Sequence, residues 1–342
     1  MRSAPVFWRR RSWPAALALP AATLFRSLAA LRRGLYRHGI LRREQLPVPV
    51  VVVGNVAVGG SGKTPAVLWL IEELRKAGWH PGIVSRGYGG RVTATGTPHL
   101  VVAGPDPDFY GDEPVMLARQ TGCPVAVGRD RPAAARALLA AHPECDVIVS
   151  DDGMQHYRLA RTVEIAVVDE ATLGNHWFLP SGPLREPLAR LAGVDLILAH
   201  GELSPRLHAQ MGTVPVAPMC LVGERFRSLA RPDEWCGAEA FAGKKVHALA
   251  GIGQPQRFFD QLTAMGLDVI PHPFPDHHRY RAADLCFAPG ETKLMTSKDA
   301  VKCAAFAPPD AWELPVRAII DAGAIAPVLE KLKRWTPNCS KF

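Results

Sequence analysis

Residues 48–64 leave this chain little freedom. An apolar run, 48–53, ends at Gly54 and is followed by Asn55-Val56-Ala57-Val58-Gly59-Gly60-Ser61-Gly62-Lys63-Thr64. A strand that ends in such a loop and opens directly into a helix is a phosphate cradle. Its glycines let backbone N–H groups converge on anionic oxygens at the positive end of the helix. Lys63 is placed to neutralise β- and γ-phosphates during transfer, and the Thr64 hydroxyl to ligate Mg²⁺. The strict pattern has a glycine where Ala57 stands, but Gly59 and Gly60 supply flexibility closer to the turn. Nucleotide contacts are therefore expected from Ala57, Val58, Gly59, Gly60, Ser61, Gly62, Lys63 and Thr64, with ATP and Mg²⁺ as the cofactors. A glycine-rich turn without a ligand is the competing reading, and the strand–loop–helix context counts against it.

Such a loop needs a second magnesium anchor, usually an aspartate at the end of an apolar strand. Cys145-Asp146-Val147-Ile148-Val149-Ser150-Asp151-Asp152 supplies one, with Asp151 and Asp152 at the same sheet edge as the loop. An aspartate pair capping the next element is the alternative. Around these motifs the chain alternates. Strands are expected over 48–53, 82–85, 125–128, 147–150, 164–168 and 196–199, and helices over 65–77, 113–121 and 132–141. Apolar runs without alternation suit strands buried on both faces. A second unit begins near Lys244, with strands at 246–250, 267–271 and 293–296 and helices at 254–264 and near Asp299; residues 205–243 read as an irregular connection. The expected fold is α/β: a P-loop NTPase-like, doubly wound, mostly parallel sheet, with a second, smaller α/β domain and an N-terminal amphipathic helix. The boundaries fall at 1–44 for a basic arm, 45–204 for the P-loop domain and 205–342 for the second domain, which contributes to the active-site cleft.

Charge separates the arm from the rest. The chain carries +8 overall, yet residues 1–44 hold ten arginines against Glu44 alone, so the remaining 298 residues sum to −1. A nucleic-acid binder would carry basic patches on its folded body; a basic arm points to an anionic membrane surface instead. The uncharged run 12–25 has fourteen residues, too few to span a bilayer, which takes about 20. Leu24, Leu28, Leu31 and Leu35 recur at helical spacing, with Arg26, Arg33 and Arg37 on another face. The arm thus reads as an interfacial anchor, with a cleaved export signal or a cap packed on the body as the alternatives. The seven cysteines are scattered singly, without a C-x-x-C pair, as free thiols in a reducing compartment are.

One ordered set of motifs goes further. It comprises Val53-Gly54-Asn55 with Val58-Gly59-Gly60-Ser61-Gly62-Lys63-Thr64, Ser85-Arg86-Gly87-Tyr88-Gly89-Gly90 and Gly111-Asp112-Glu113-Pro114. It continues with Asp151-Asp152-Gly153-Met154-Gln155-His156, Leu179-Pro180-Ser181-Gly182-Pro183-Leu184-Arg185-Glu186-Pro187 and Phe274-Pro275-Asp276-His277. In this order, over residues 48–300, the chain resembles the tetraacyldisaccharide 4'-kinase family of lipid A biosynthesis. The resemblance implies transfer of the ATP γ-phosphoryl group to the 4'-hydroxyl of an acylated glucosamine disaccharide 1-phosphate. The product is lipid IV(A), made at the cytoplasmic face of the inner membrane. It also implies that Asp112 and His277 act as a dyad, His277 reaching in from the second domain. Ala57 and His278 depart from the usual pattern, and neither departure removes a group the chemistry needs.

The residues make chemical sense in these roles. A sugar hydroxyl is a weak acid, so a base that accepts its proton as the new bond forms is useful; Asp112 is the candidate, with His277 orienting it or sharing the proton. Lys63 joins them as a catalytic group, and Thr64, Asp151, Asp152 and Glu186 are the candidate magnesium ligands. Arg86, Glu113, Arg131, Gln155, His156 and Arg185 are candidate contacts to substrate or phosphate. Bland readings stand beside these: Asp112 as a helix cap, Arg86 and Arg131 as solvated surface groups, and His277 and His278 with Asp276 as a metal cluster. A membrane-recruited ATPase switch is the rival function, but such loops carry a lysine where Val58 stands. A soluble small-molecule kinase with an acidic partner for its arm is a second rival.

Overall fold

The computed structural model describes residues 5–102, 104 and 106–336, organised on two sheets. The larger has nine strands, in the order Arg317–Ile320, Val216–Val222, Leu196–His200, Val163–Val168, Val50–Gly54, Val147–Asp151, Pro81–Ser85, Val125–Val127 and His99–Leu100. Its seven inner strands pair in parallel, and the two edge strands pair antiparallel. The three central strands are buried along their whole length. Val51 and Val53 pack with Ala66, Leu70 and Val328 on one face, and Val50 and Val52 with Ala134, Leu138 and Leu191 on the other. Alternate side chains of one strand thus enter two different cores, which is why its sequence is an unbroken apolar run.

The smaller sheet has six strands, in the order Trp235–Cys236, Phe226–Ser228, Ala311–Leu314, Lys293–Thr296, Lys245–Ala250 and Asp268–Pro273. The last four are parallel. The expected strands and helices are found in place in both sheets, shifted by at most two residues at their ends.

Two expectations need correction. Residues 205–243 are not an irregular connection, because Val216–Val222 is the seventh parallel strand of the large sheet. Pro215 and Pro218 disguise it in sequence. Pro218 is tolerated because the antiparallel ladder on its far side begins at Met219 and requires no N–H from it. The division also does not fall at 204/205. After the small sheet, the chain returns to the large one through Arg317–Ile320 and the helix Ala326–Lys333, whose Val328 and Leu332 sit in its core. The small sheet, 226–314, is an insertion between two strands of the large one.

The arm forms the helices Trp13–Leu17 and Leu19–Arg37. Its start is docked: the Trp8 indole N–H donates to the Pro180 carbonyl at 2.8 Å, and the Asn175 N–H to the Trp8 carbonyl at 2.8 Å. Along the long helix, Arg26 lies over the Phe178 ring, the Arg32 guanidinium donates to the Gln155 carbonyl, and Arg33 approaches Glu186 at 3.7 Å. Leu24, Leu28 and Leu31 point away and are 62%, 57% and 59% exposed. Arginines on the helix therefore meet the body, and the leucine face is bare. Among the described residues no helix is long and apolar enough to cross a membrane.

Candidate active site

The strand Val50–Gly54 delivers the loop, and Gly62, at φ 88°, turns it into the helix Lys63–Lys76. The first half of the loop is pinned. The buried Asn55 amide donates to the Ser61 hydroxyl at 3.0 Å and its carbonyl oxygen accepts from Arg185. The Ala57 carbonyl accepts two bonds from Arg185, at 3.2 and 3.1 Å, and the Val58 N–H donates to the Pro183 carbonyl at 2.9 Å. The Val58 N–H is thereby engaged by the 183–185 segment and the Ser61 N–H donates to the Gly59 carbonyl at 3.2 Å, so the donors left for a phosphate are those of Gly59, Gly60 and the helix start at 62–64. Lys63 folds back over this stretch, its Nζ 3.4 Å from the Gly59 carbonyl and 3.9 Å from Asp152.

Asp151 ends the strand Val147–Asp151, beside Val53 in register, and Asp152 follows in a left-handed turn at φ 46°. A non-glycine residue in that region costs about 1–3 kcal/mol and persists only where its surroundings hold it. Here Arg185 holds it, with two parallel N–H bonds of 3.0 Å to the Asp152 carboxylate. The two acids titrate apart. Burial, aided by Glu113 and Asp152, pushes the Asp151 carboxyl up to about 7 against the pull of Arg131 and Lys63. Burial acts the same way on Asp152, but Lys63 and Arg185 overcome it and hold that carboxyl far below the ordinary range. Among the described residues only one Asp151 oxygen has a hydrogen bond, from the Ser85 hydroxyl at 3.2 Å.

Across the cleft stands the small sheet's contribution. Asp112 is the first residue of the helix Asp112–Thr121 and is buried, 5% exposed. His277 meets it from the 274–278 turn, with Nδ1 at 3.0 and 3.2 Å from the two carboxylate oxygens. Close backbone approaches make this possible. A side chain at Gly90 would strike the Gly111 nitrogen at 2.5 Å, and Gly111 itself needs φ 92° against the Tyr88 carbonyl. These glycines let the 85–90 and 111–114 motifs interlock. His277 is the second left-handed non-glycine residue of the site, at φ 59°, its ring 5.1 Å from that of Tyr88. Burial alone would raise the Asp112 carboxyl; the bond from His277 and the charge of Lys298 bring it below its usual value.

The other expected residues fall into three groups. Arg131 is no surface group: it is fully buried, donates to the Asp151 carbonyl at 2.9 Å and leaves Nε and Nη1 unpaired. Burial pushes its guanidinium down to about 10 despite Asp151 and Asp152. His156 is pushed down to about 3 by burial and by Arg131, Arg86 and Arg32, so its ring is neutral at ordinary pH. Arg86 is exposed at the end of the strand Pro81–Ser85. Glu186, expected as a magnesium ligand, is engaged elsewhere. Its oxygens accept from the Gln155 amide at 2.9 Å and the Tyr157 hydroxyl at 2.6 Å, with Arg190 at 3.5 Å and Arg33 at 3.7 Å. Gln155 also donates to the Asn55 carbonyl at 3.1 Å, so Glu186 braces the loop from behind. No group of three or more histidine, cysteine, aspartate or glutamate side chains suited to a metal occurs among the described residues, which removes the 276–278 cluster.

Sequence reasoning missed Lys298 and Lys302. Glu113 pairs with Lys298 at 3.2 Å, and Lys302 lies 3.9 Å from Asp112. Their four-residue spacing on a capped helix was the available signal.

Comparison with known proteins agrees with this geometry. A model of the LpxK family, tetraacyldisaccharide-1-P 4'-kinase, matches residues 14–333. A tetraacyldisaccharide 4'-kinase of Azoarcus sp. (strain BH72) is 65% identical over 98% of this chain and 97% of its own. One from Aromatoleum aromaticum (strain DSM 19018 / LMG 30748 / EbN1) is 62% identical over 98% and 99%. Among solved structures, LpxK from Aquifex aeolicus in complex with ATP superposes with a TM-score of 0.78 at 26% identity, covering 92% of this chain and 98% of that one.

Proposed function

This chain belongs to the tetraacyldisaccharide-1-P 4'-kinase family, and we propose that its two sheets divide the reaction, the large one holding ATP and the small one bringing His277 to the acceptor. The chain is a kinase that uses ATP to phosphorylate the lipid A precursor at the 4' position. In this reading residues 59–64 wrap the triphosphate and Lys63 bridges its outer phosphates. Asp151 and the Thr64 hydroxyl would hold Mg²⁺, which would supply charge neutralisation at the transferring group. A buried carboxylate with one unbonded oxygen, crowded by Glu113 and Asp152, suits a divalent cation. Asp152 orients Lys63 and Arg185. Asp112 accepts the proton of the 4'-hydroxyl while its oxygen bonds to the γ-phosphorus and the bond to the β–γ bridging oxygen breaks, releasing ADP. Exposed Arg86 is left for the acceptor's own phosphate. The leucine face of the arm lies on the cytoplasmic side of the inner membrane, and a body without net positive charge has no role for nucleic acid.

The observation that carries the reading is the contact of 3.0 Å between His277 and Asp112, 165 residues apart. The test is a double-mutant cycle on kcat at saturating ATP and acylated disaccharide 1-phosphate. Asp112→Asn and His277→Ala should each lower kcat by about 10²–10⁴-fold. The double variant should lose little more than the worse single one, since groups acting as a unit are non-additive. Losses that add would remove the dyad. The rival ATPase switch is excluded if ADP appears only in step with phosphorylated glycolipid.

A further inference from the structure

The helix Ser297–Cys303 starts under a Thr296 cap, whose hydroxyl accepts the Asp299 N–H at 3.2 Å. It presents Lys298 and Lys302 on one face, toward the first residues of the helix Asp112–Thr121. Both are deeply placed for lysines, their side chains 17% and 9% exposed. Lys298 Nζ is 3.2 Å from Glu113, 3.6 Å from Asp276 and 4.0 Å from Asp112. It also lies 3.5 Å from Nε2 of His277. Lys302 Nζ is 2.8 Å from Asp299 and 3.9 Å from Asp112, above the Tyr280 ring.

An ammonium has three donors and no acceptor, whereas a neutral imidazole has one of each. With Lys298 facing Nε2, that nitrogen is the acceptor. The ring proton is then on Nδ1, where it is donated to Asp112. We propose that Lys298 is a positioning residue that fixes the Nδ1–H tautomer of His277 and, with Lys302, keeps the Asp112 carboxylate ionised for proton transfer when the cleft is closed. The inference rests on the dyad reading above. The opposite tautomer would set the Nδ1 lone pair against a carboxylate and point an N–H at an ammonium. Two cations beside a buried carboxylate also offset its desolvation, which otherwise favours the protonated, inactive form.

The surrounding charges are consistent with this. Asp112 and Glu113 face His277 from one helix, and Lys298, Lys302 and Asp299 from the other. Asp276 comes from the His277 turn itself, with Nε2 3.8 Å away. Arg279 and Asp108, at the rim, pair with each other at 3.6 Å. Lys298 stays charged because its carboxylate partners Glu113, Asp112 and Asp276 outweigh its burial, raising it above the ordinary lysine value.

The experiment is a set of kcat–pH profiles at saturating Mg-ATP and lipid acceptor for the wild type, Lys298→Met, Lys298→Arg, His277→Ala and the double variant Lys298→Met/His277→Ala. Removing one opposite charge from Asp112 should move the acid limb of Lys298→Met up by about 1 unit. Its kcat at neutral pH should fall at least about 10-fold and the KM for ATP stay within about twofold, because the nucleotide site is untouched. Lys298→Arg should restore most of the limb position. In the His277→Ala background the same change should lose much less. An equal loss at every pH with an unmoved limb, or an undiminished loss without His277, overturns the proposal. A wild-type profile in His277→Ala instead overturns the dyad, so the two failures are distinguishable. Should Lys298→Met not fold, ¹⁵N spectra of the histidine-labelled wild type decide: an Nε2–H ring at His277 overturns the assignment.

Discussion

Asp151 and Asp152 are adjacent in sequence and opposite in electrostatics, and the difference reaches stability. Asp151 binds a proton in the folded state up to about pH 7, but in the unfolded chain only up to its ordinary value of 3.8. The native state therefore holds more protons between about pH 4 and 7, and stability falls as pH rises through that window. The ceiling is about 4 kcal/mol. Asp152 and Asp112 have lowered values, so their contribution is lost as pH falls below their window, and the effects separate. Asp151→Asn should thus raise the Tm of the nucleotide-free protein at pH 8 by several degrees while nearly abolishing turnover. Thermal melts at pH 5 and 8, with and without Mg-ATP, check this; an unchanged Tm difference between the two pH values would sink it. The pair itself was legible in sequence as acids after an apolar run. Their division of labour was not, because it depends on Arg185 arriving from 33 residues away to hold a left-handed turn at Asp152. Lys298 and Lys302 offered only their four-residue spacing, and their burial was illegible for a related reason. Lysines on a short helix read as solvated charges, and only the packing of that helix on Asp112–Thr121 buries them.

At the scale of elements, the arm was read correctly as a basic amphipathic helix, but the sequence could not say which face meets the body. Arg26, Arg32 and Arg33 turn inward, to Phe178, Gln155 and Glu186, and the leucines turn outward. On the proposed membrane role, attachment would divide into two parts. Exposed arginines such as Arg9, Arg10 and Arg37 would supply a salt-sensitive part of about 1 kcal/mol each near an anionic surface. Leu24, Leu28 and Leu31 would supply a salt-insensitive part, up to about 1.5–3 kcal/mol for each side chain fully buried. Replacing the three leucines by glutamine should weaken sedimentation with anionic vesicles at least about 10-fold at about 0.5 M salt, leaving ATP affinity unchanged. Equal sedimentation of the variant and the wild type in high salt would show that the leucine face does not bind lipid. The strand Val216–Val222 shows the opposite limit of sequence reading. Its prolines mark it as non-strand, and only the ladder of its neighbours explains their acceptance.

For the whole molecule, the question is what holds the inserted sheet against the large one. Two contacts flank the phosphate loop. One is the Asp112 cluster, where His277, Lys298 and Lys302 meet a buried carboxylate and Val301 packs on Val115 and Met116. The other is Arg257, on the helix Pro255–Ala264, which reaches Asp169 at 2.6 Å. Asp169 caps the short helix Glu170–Leu173, whose Thr172 lies against Gly59 of the loop. The contacts look alike as ion pairs, and the side chains of both acids are 5% exposed, but their cations differ in burial. Arg257 is 41% exposed, and solvent screening of its guanidinium holds that pair to about 1 kcal/mol. The Asp112 cluster is buried, and removing one partner of a buried pair costs about 3–5 kcal/mol. Closure should therefore depend on the Asp112 side. Arg257→Ala is expected to lower kcat less than about fivefold, with 1 kcal/mol as the limit. Any effect should fade in high salt, since only an exposed pair is screened. Asp112→Asn should shift small-angle scattering of the ATP-bound enzyme toward a more open shape, where Arg257→Ala does not. If Arg257→Ala instead opened the molecule and abolished turnover, the order of the two contacts would be reversed, and the hinge would be governed from the loop side. The sequence placed His277 and Asp112 together only through the resemblance, since no local pattern joins positions so far apart. Their meeting depends on the chain leaving the large sheet after Val216–Val222 and returning at Arg317–Ile320, which ties both ends of the insertion to neighbouring strands.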